Sequence, residues 1–197
     1  MHHYAVTTPP ASQPITLAEV KDQVSMRAGN TLNDDLLNGL ILAAVPVLER
    51  YCNRVFINTT FRGTARNLVQ DPTRDRYPYV QLYRSPVNTV TSFQRQNNST
   101  FSDVEYDREQ LDSYDRLIVP DSDFWDHDRV PDAYRVDFVA GYGATADDVP
   151  APLRRACLAY VAYLFENRGD VVPDGQVPLP LEVSALCAPY RLIGGYF

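Results

Sequence analysis

The stretch YRVDFVAGYGATADDVPAPLRRACLAYVAYLFENRGD, from Tyr134 to Asp170, constrains this chain more than any other. Tyr134, Val136 and Phe138 alternate with Arg135, Asp137 and Val139, the period-2 pattern of a strand with one buried face. Gly141-Tyr142-Gly143 breaks the pattern, because glycine turns the backbone where a Cβ resists, and Gly141 and Gly143 are read as a structural hinge. Asp147, Asp148 and Pro150 then mark a helix start, with carboxylates near the positive end and proline in the first turn. Leu153, Ala156, Cys157, Tyr160, Val161, Leu164 and Phe165 recur at i, i+3, i+4, a broad apolar stripe. Asn167-Arg168-Gly169 closes it. One glycine corner therefore couples a sheet to a core helix.

The remaining segments extend that reading. At 197 residues the chain fits a single domain that buries roughly 70% of its unfolded surface. Met1 to Pro14 is polar, carries Pro9-Pro10 and Pro14, and predicts an extended arm rather than packed structure. Thr16-Leu17-Ala18-Glu19 is a capping box that starts a short helix running to about Met26. Asn33-Asp34-Asp35 opens a second helix with Leu36, Leu37, Leu40, Ile41, Ala44, Val45, Leu48 and Tyr51 on one side. Pro46 inside it predicts a kink or an earlier end. From Asn53 to Gly143 the period turns sheet-like. Strands are expected at Val55 to Ala65, Tyr79 to Tyr83, Val87 to Gln94, Val104 to Tyr106, Leu117 to Val119 and Tyr134 to Val139. A proline-spaced linker, VVPDGQVPLP, leads to a last helix from Leu181 to Tyr190 and the tail RLIGGYF. The fold class read from this order is α+β. A helical bundle body, with two N-terminal helices and one long and one short C-terminal helix, carries an inserted antiparallel β region. The arm is 1–14, the body 15–53 and 149–190, the insertion 54–143, and the tail 191–197.

Charge and side-chain chemistry narrow the function. A formal charge of -7 excludes nucleic-acid binding by bulk attraction. Cys52, Cys157 and Cys187 are odd in number, far apart and in apolar surroundings, and read as buried free thiols of a reducing compartment. No stretch reaches the ~18 apolar residues of a membrane helix, and the N-terminus lacks a signal-peptide core. Asp121 to Asp128 packs four carboxylates and His127 into eight residues. Against a calcium loop, however, Trp125 and Asp126 stand where a ligand and the obligatory glycine belong, so a solvated acidic loop is expected. There is no G-x-S-x-G, and Gly141-Tyr142-Gly143 lacks the third glycine of a dinucleotide loop. Arg62, Arg66, Arg74, Arg76, Arg84, Arg154 and Arg155 are interleaved with carboxylates and read as solvated ion pairs. No catalytic residue, metal or cofactor is predicted, so the chain reads as a non-enzyme.

LAEVKDQV, DDLLNGLILAAVPVLERYCNRVF, YRSPVNTVTSF, YRVDFVAGYG, VPAPLRRACLAYVAYLFENRGD and LPLEVSALCAPYR follow one another in an order that resembles the head-tail connector (adaptor, or head completion) family of long-tailed bacteriophages and related gene-transfer particles. The resemblance spans about residues 15 to 191. It implies a structural virion protein in the neck, assembled in the host cytoplasm. Copies would form a homo-oligomeric ring under the portal protein, extend the DNA channel and receive the next neck or tail completion protein. It departs from the family at Pro46, where an unbroken helix is expected, and in the acidic loop. A net negative ring suits transient passage of double-stranded DNA without specific binding, since repulsion avoids counterion-release binding. Tyr77, Tyr79, Tyr83 and Tyr114 are candidate interface residues. The apolar Leu192, Ile193, Tyr196 and Phe197, loosened by Gly194-Gly195, are candidates for docking on the portal. The alternatives are a tyrosine-rich ligand- or carbohydrate-binding module around Tyr77 to Tyr83 and Trp125, and a small hydrolase centred on His127.

Overall fold

The computed structural model describes residues 3–27, 29–66, 68–69, 77–97, 100–111, 114–119, 134–167 and 179–192. They divide into two compact units, one drawn from Met1–Pro10 and Asn58–Gly141, the other from Ala11–Ile57 and Tyr142–Gly194.

The first unit is built from strands. β1 (His3–Thr8), β2 (Thr59–Ala65), β8 (Tyr134–Ala140), β4 (Val87–Asn97) and β5 (Thr100–Asp103) lie side by side in that order. β3 (Tyr79–Leu82), β7 (Asp115–Ile118) and β6 (Asp107–Gln110) form a smaller sheet. All pairings between these strands are antiparallel. β8 buries Tyr134, Val136, Phe138 and Ala140 on one face, as its alternation predicts. Phe138 stands opposite Phe61 of β2, and their rings stack at 5.7 Å. Gly63, in the middle of β2, leaves room for the Tyr4 ring from β1, which meets Phe138 edge-on at 5.9 Å. A Cβ at Gly63 would lie 3.1 Å from that ring, which explains a glycine in a strand interior.

These strands correct the expected fold class. The described residues form two antiparallel sheets alongside four helices, and they are not a helical bundle body carrying an inserted β region. Three strands went unread for one reason. β5 and β6 are exposed at every position, and β1 buries little beyond Tyr4, so none shows the alternation that one buried face produces. β4 misleads in another way. Val87, Thr89, Thr91 and Phe93 alternate in sequence, but irregularities at Val87/Thr89 and Val90/Ser92 leave Thr89 and Thr91 exposed while Val87 and Phe93 are buried. Residues 104–106, expected as a strand, belong to none.

The second unit is helical: α1 (Leu17–Gln23), α2 (Asp34–Cys52), α3 (Ala151–Glu166) and α4 (Leu181–Cys187). The capping box forms, with the Thr16 amide donating to Glu19 Oε2 at 2.7 Å and the Glu19 amide to Thr16 Oγ1 at 3.3 Å. Leu37, Ile41, Ala44 and Leu48 of α2 pack with Leu153, Ala156, Cys157 and Val161 of α3, and Val183 and Cys187 of α4 close the core. Truncating a fully buried leucine here, such as Leu48 or Leu153, would cost about 3 kcal/mol through lost transfer energy and a residual cavity. α2 does not end at Pro46. It continues to Cys52 and stops at Asn53 in a left-handed conformation, φ 54°. Pro46 lies on the exposed side, where water can take the carbonyl that lacks its helical donor.

Candidate functional site

Among the described residues, no group of three His, Cys, Asp or Glu side chains could hold a metal ion. The acidic loop Asp121–Asp128, with Trp125 and His127, lies outside the described residues. Cys52, Cys157 and Cys187 are all free and buried. The hydrogen bond with Cys187 and then burial push the Cys52 thiol up, and burial pushes Cys157 up, so neither is an available thiolate. A void of about 10 Å³ lined by Tyr4, Gly63, Val80, Leu82 and Val136 has room for about one water, not for a ligand. No described helix is long and apolar enough to cross a membrane.

Several arginines are occupied within the chain. Arg62 forms a two-pronged pair with Asp137 at 2.7 and 3.0 Å, and Arg84 lies over the rings of Tyr4 and Phe61. Arg154 bonds Asp147 at 3.1 Å and Glu19. Arg108 meets the buried Asp115 and donates to the Val87 and Asn88 carbonyls at 2.7 and 3.1 Å. Arg74 and Arg76 are outside the described residues. The tyrosine surface is likewise closed on itself. Tyr79 is buried beneath Arg116, which stands 4.5 Å from its ring and 5.3 Å from that of Tyr114. Tyr83 donates to Gln81 Oε1, which leaves Tyr77 as the exposed member of the set.

The corner that joins β8 to α3 needs both glycines, for different reasons. Gly141 has φ 145°, a region that L side chains rarely adopt. Gly143 is demanded by space, because a Cβ there would lie 2.3 Å from Cβ, Cγ and Oδ2 of Asp148. Asp148 cannot withdraw, since its Oδ2 accepts both the Thr145 amide and the Thr145 hydroxyl at 2.8 Å. Those bonds, the backbone one first, hold its carboxyl below the ordinary aspartate range.

The tail begins against α2. The Leu192 amide donates to the Cys52 carbonyl at 3.0 Å, Arg191 stacks over the Tyr51 ring at 4.8 Å, and Arg54 Nε donates to the Tyr190 carbonyl at 3.2 Å. Ile193, Tyr196 and Phe197 lie outside the described residues. One surface escaped the sequence reading. α2 is apolar on its outer side too, where Leu36, Leu42 and Val47 are exposed. The missed signal is a helix hydrophobic all round, which belongs in a buried setting.

No protein-family model matches the chain, and comparison with curated proteins gives no match. Solved structures do match. A chain from the neck of an empty gene transfer agent particle, computed with C6 symmetry, superposes with a TM-score of 0.74, covering 100% of this chain and 97% of its own at 21% identity. One from the virion of the native particle gives 0.70 over 98% and 97% at 22% identity. One from the native neck, computed with C12 symmetry, gives 0.69 over 100% and 97% at 21% identity. The two-unit fold of this chain is therefore that of chains in gene transfer agent necks and virions.

Proposed function

We propose that this chain is a structural protein of the neck of a phage-like particle, with no catalytic role. In this reading it is the head-tail connector, or adaptor. Copies form a ring under the portal, prolong the DNA channel and receive the next neck or tail protein. The observation that carries it is the match in fold, end to end, to chains of gene transfer agent necks and virions. Symmetry of order six and twelve in those necks supports a cyclic assembly. Paired or ring-stacked arginines and the net charge of -7 support passage of duplex DNA without capture. The tail, from Leu192 through Ile193, Tyr196 and Phe197, docks on the portal, with its root fixed at the end of α2.

Removing this chain from a producing cell tests the reading. Filled heads and separate tails are the expected products, and normally tailed particles would overturn it. Deleting residues 192–197 should leave melting near wild type and abolish portal attachment. A large fall in melting temperature, or normal docking, would refute the tail's role.

A further inference from the structure

Four of the eight exposed large apolar side chains among the described residues belong to α2 or the turn before it: Leu32 at 90%, Leu36 at 38%, Leu42 at 60% and Val47 at 43% exposure. Such clustering is unlike the scattered single apolar residues of an ordinary surface. The inner side of the same helix is already filled by the core, so α2 has a second apolar face still to bury. That face is flanked by charges of opposite sign, Asp35 at one end and Arg50 at the other, about 22 Å apart at 1.5 Å per residue. Neither has an ion-pair partner among the described residues.

We propose that the outer face of α2 is the contact with a second copy of this chain in the ring, an inference that rests on the neck reading above. A cyclic ring joins two different faces, so the neighbour does not present its own α2. The helical unit offers a counterpart in α4. Leu181 there is 85% exposed, Ala185 is small and exposed, Glu182 opens the helix, and Arg191 follows its end. Antiparallel seating brings Arg50 to the neighbour's Glu182 and Val47 onto its Ala185, since both pairs are three residues apart on their helices. Val47 then meets a small side chain, and the Arg50 charge is answered. Within its own chain Glu182 has only a 3.4 Å contact to Arg155 between two well-exposed side chains, so it is free to turn outward.

The native cysteines are buried, which makes cross-linking through introduced thiols clean. A chain with Val47→Cys and Ala185→Cys is expressed in the producing cell, and purified particles are treated with a mild oxidant. A non-reducing gel should show a ladder of covalent multimers beyond the dimer. Absence of the ladder, with the variant chain present in the particles, overturns the proposal. So does a dimer from Val47→Cys alone, which would mean α2 meeting α2. Absence of even the wild-type chain from particles would instead sink the neck reading. Leu42→Asp should keep the wild-type melting temperature and reduce incorporation at least tenfold, and normal incorporation counts against the contact. Arg50→Glu and Glu182→Arg should each reduce incorporation and together restore it. Two defective single variants without rescue reject α4 as the counterpart.

Discussion

The Tyr4 hydroxyl accepts the Tyr83 amide hydrogen at 3.1 Å and donates to the Gln81 carbonyl at the same distance. One side chain on β1 thereby ties the larger sheet to the end of β3, across more than seventy residues of sequence. Burial pushes this phenol up to about 12, so it stays protonated and able to donate at any ordinary pH. Tyr4→Phe should keep the ring over Gly63 and lose both bonds, destabilising by about 1–2 kcal/mol. A thermal melt reads the effect, and an unchanged midpoint would mean the hydroxyl contributes nothing.

Gly143→Ala should destabilise by at least ~1 kcal/mol, because the new Cβ meets Asp148 at 2.3 Å. Combining it with Asp148→Ala should not rescue the loss, since the Asp148 Cβ is itself among the clashing atoms. Full rescue in denaturant unfolding would show that only the carboxylate obstructs. Gly141→Ala, by contrast, should lose stability of order 1–3 kcal/mol through backbone angle alone.

What the sequence makes legible depends on whether a segment has one consistently buried face. β8 and α3 do, and Tyr134, Val136, Phe138, Leu153, Cys157 and Val161 sit in the core their periodicity implies. β1 reads as an arm because its partner β2 lies some fifty residues onward and only Tyr4 turns inward. α2 shows its inner stripe clearly, but Leu36, which the sequence reading places on that stripe, is exposed. Of the proposed docking residues, Leu192 alone falls in the described structure, and the glycine corner was visible without the reason Gly143 must be glycine. That reason is a contact with a side chain five positions away.

Arg108 is the keystone of the smaller sheet. Its guanidinium meets Asp115, which is almost fully buried, and also takes two carbonyls from the start of β4. Arg108→Ala would strand a buried carboxylate, and a loss of about 3 kcal/mol is expected. Arg108→Lys should recover little, because an ammonium cannot span the carboxylate and both carbonyls. Urea titration decides, and a loss below 1 kcal/mol for the alanine variant would refute the assignment.

Acid should unfold the protein partly through Asp137. Its hydrogen bond with Arg62 holds the carboxyl below the ordinary aspartate range, despite some burial. A lowered folded value contributes stability that is present above about pH 4 and lost as pH falls through it. Asp148 acts in the same direction. Asp115, raised by burial, acts oppositely and loses its contribution as pH rises through its folded value. Asp137→Asn should therefore melt lower at pH 7 and decline less steeply between pH 5 and 3. Parallel curves for the variant and wild type would disprove it.

Each unit is assembled from separated stretches of chain, and that fixes an order of events during synthesis. Once β8 has left the ribosome, every described strand exists, and the β unit can close on itself. α1 and α2 have by then waited through roughly a hundred residues for α3, holding Leu37, Ile41 and Leu48 without their partners. The helical core is thus completed after the β unit. Closing so long a loop is entropically modest but slow, and a chaperone that shields α2 in the interval would raise the yield of soluble protein.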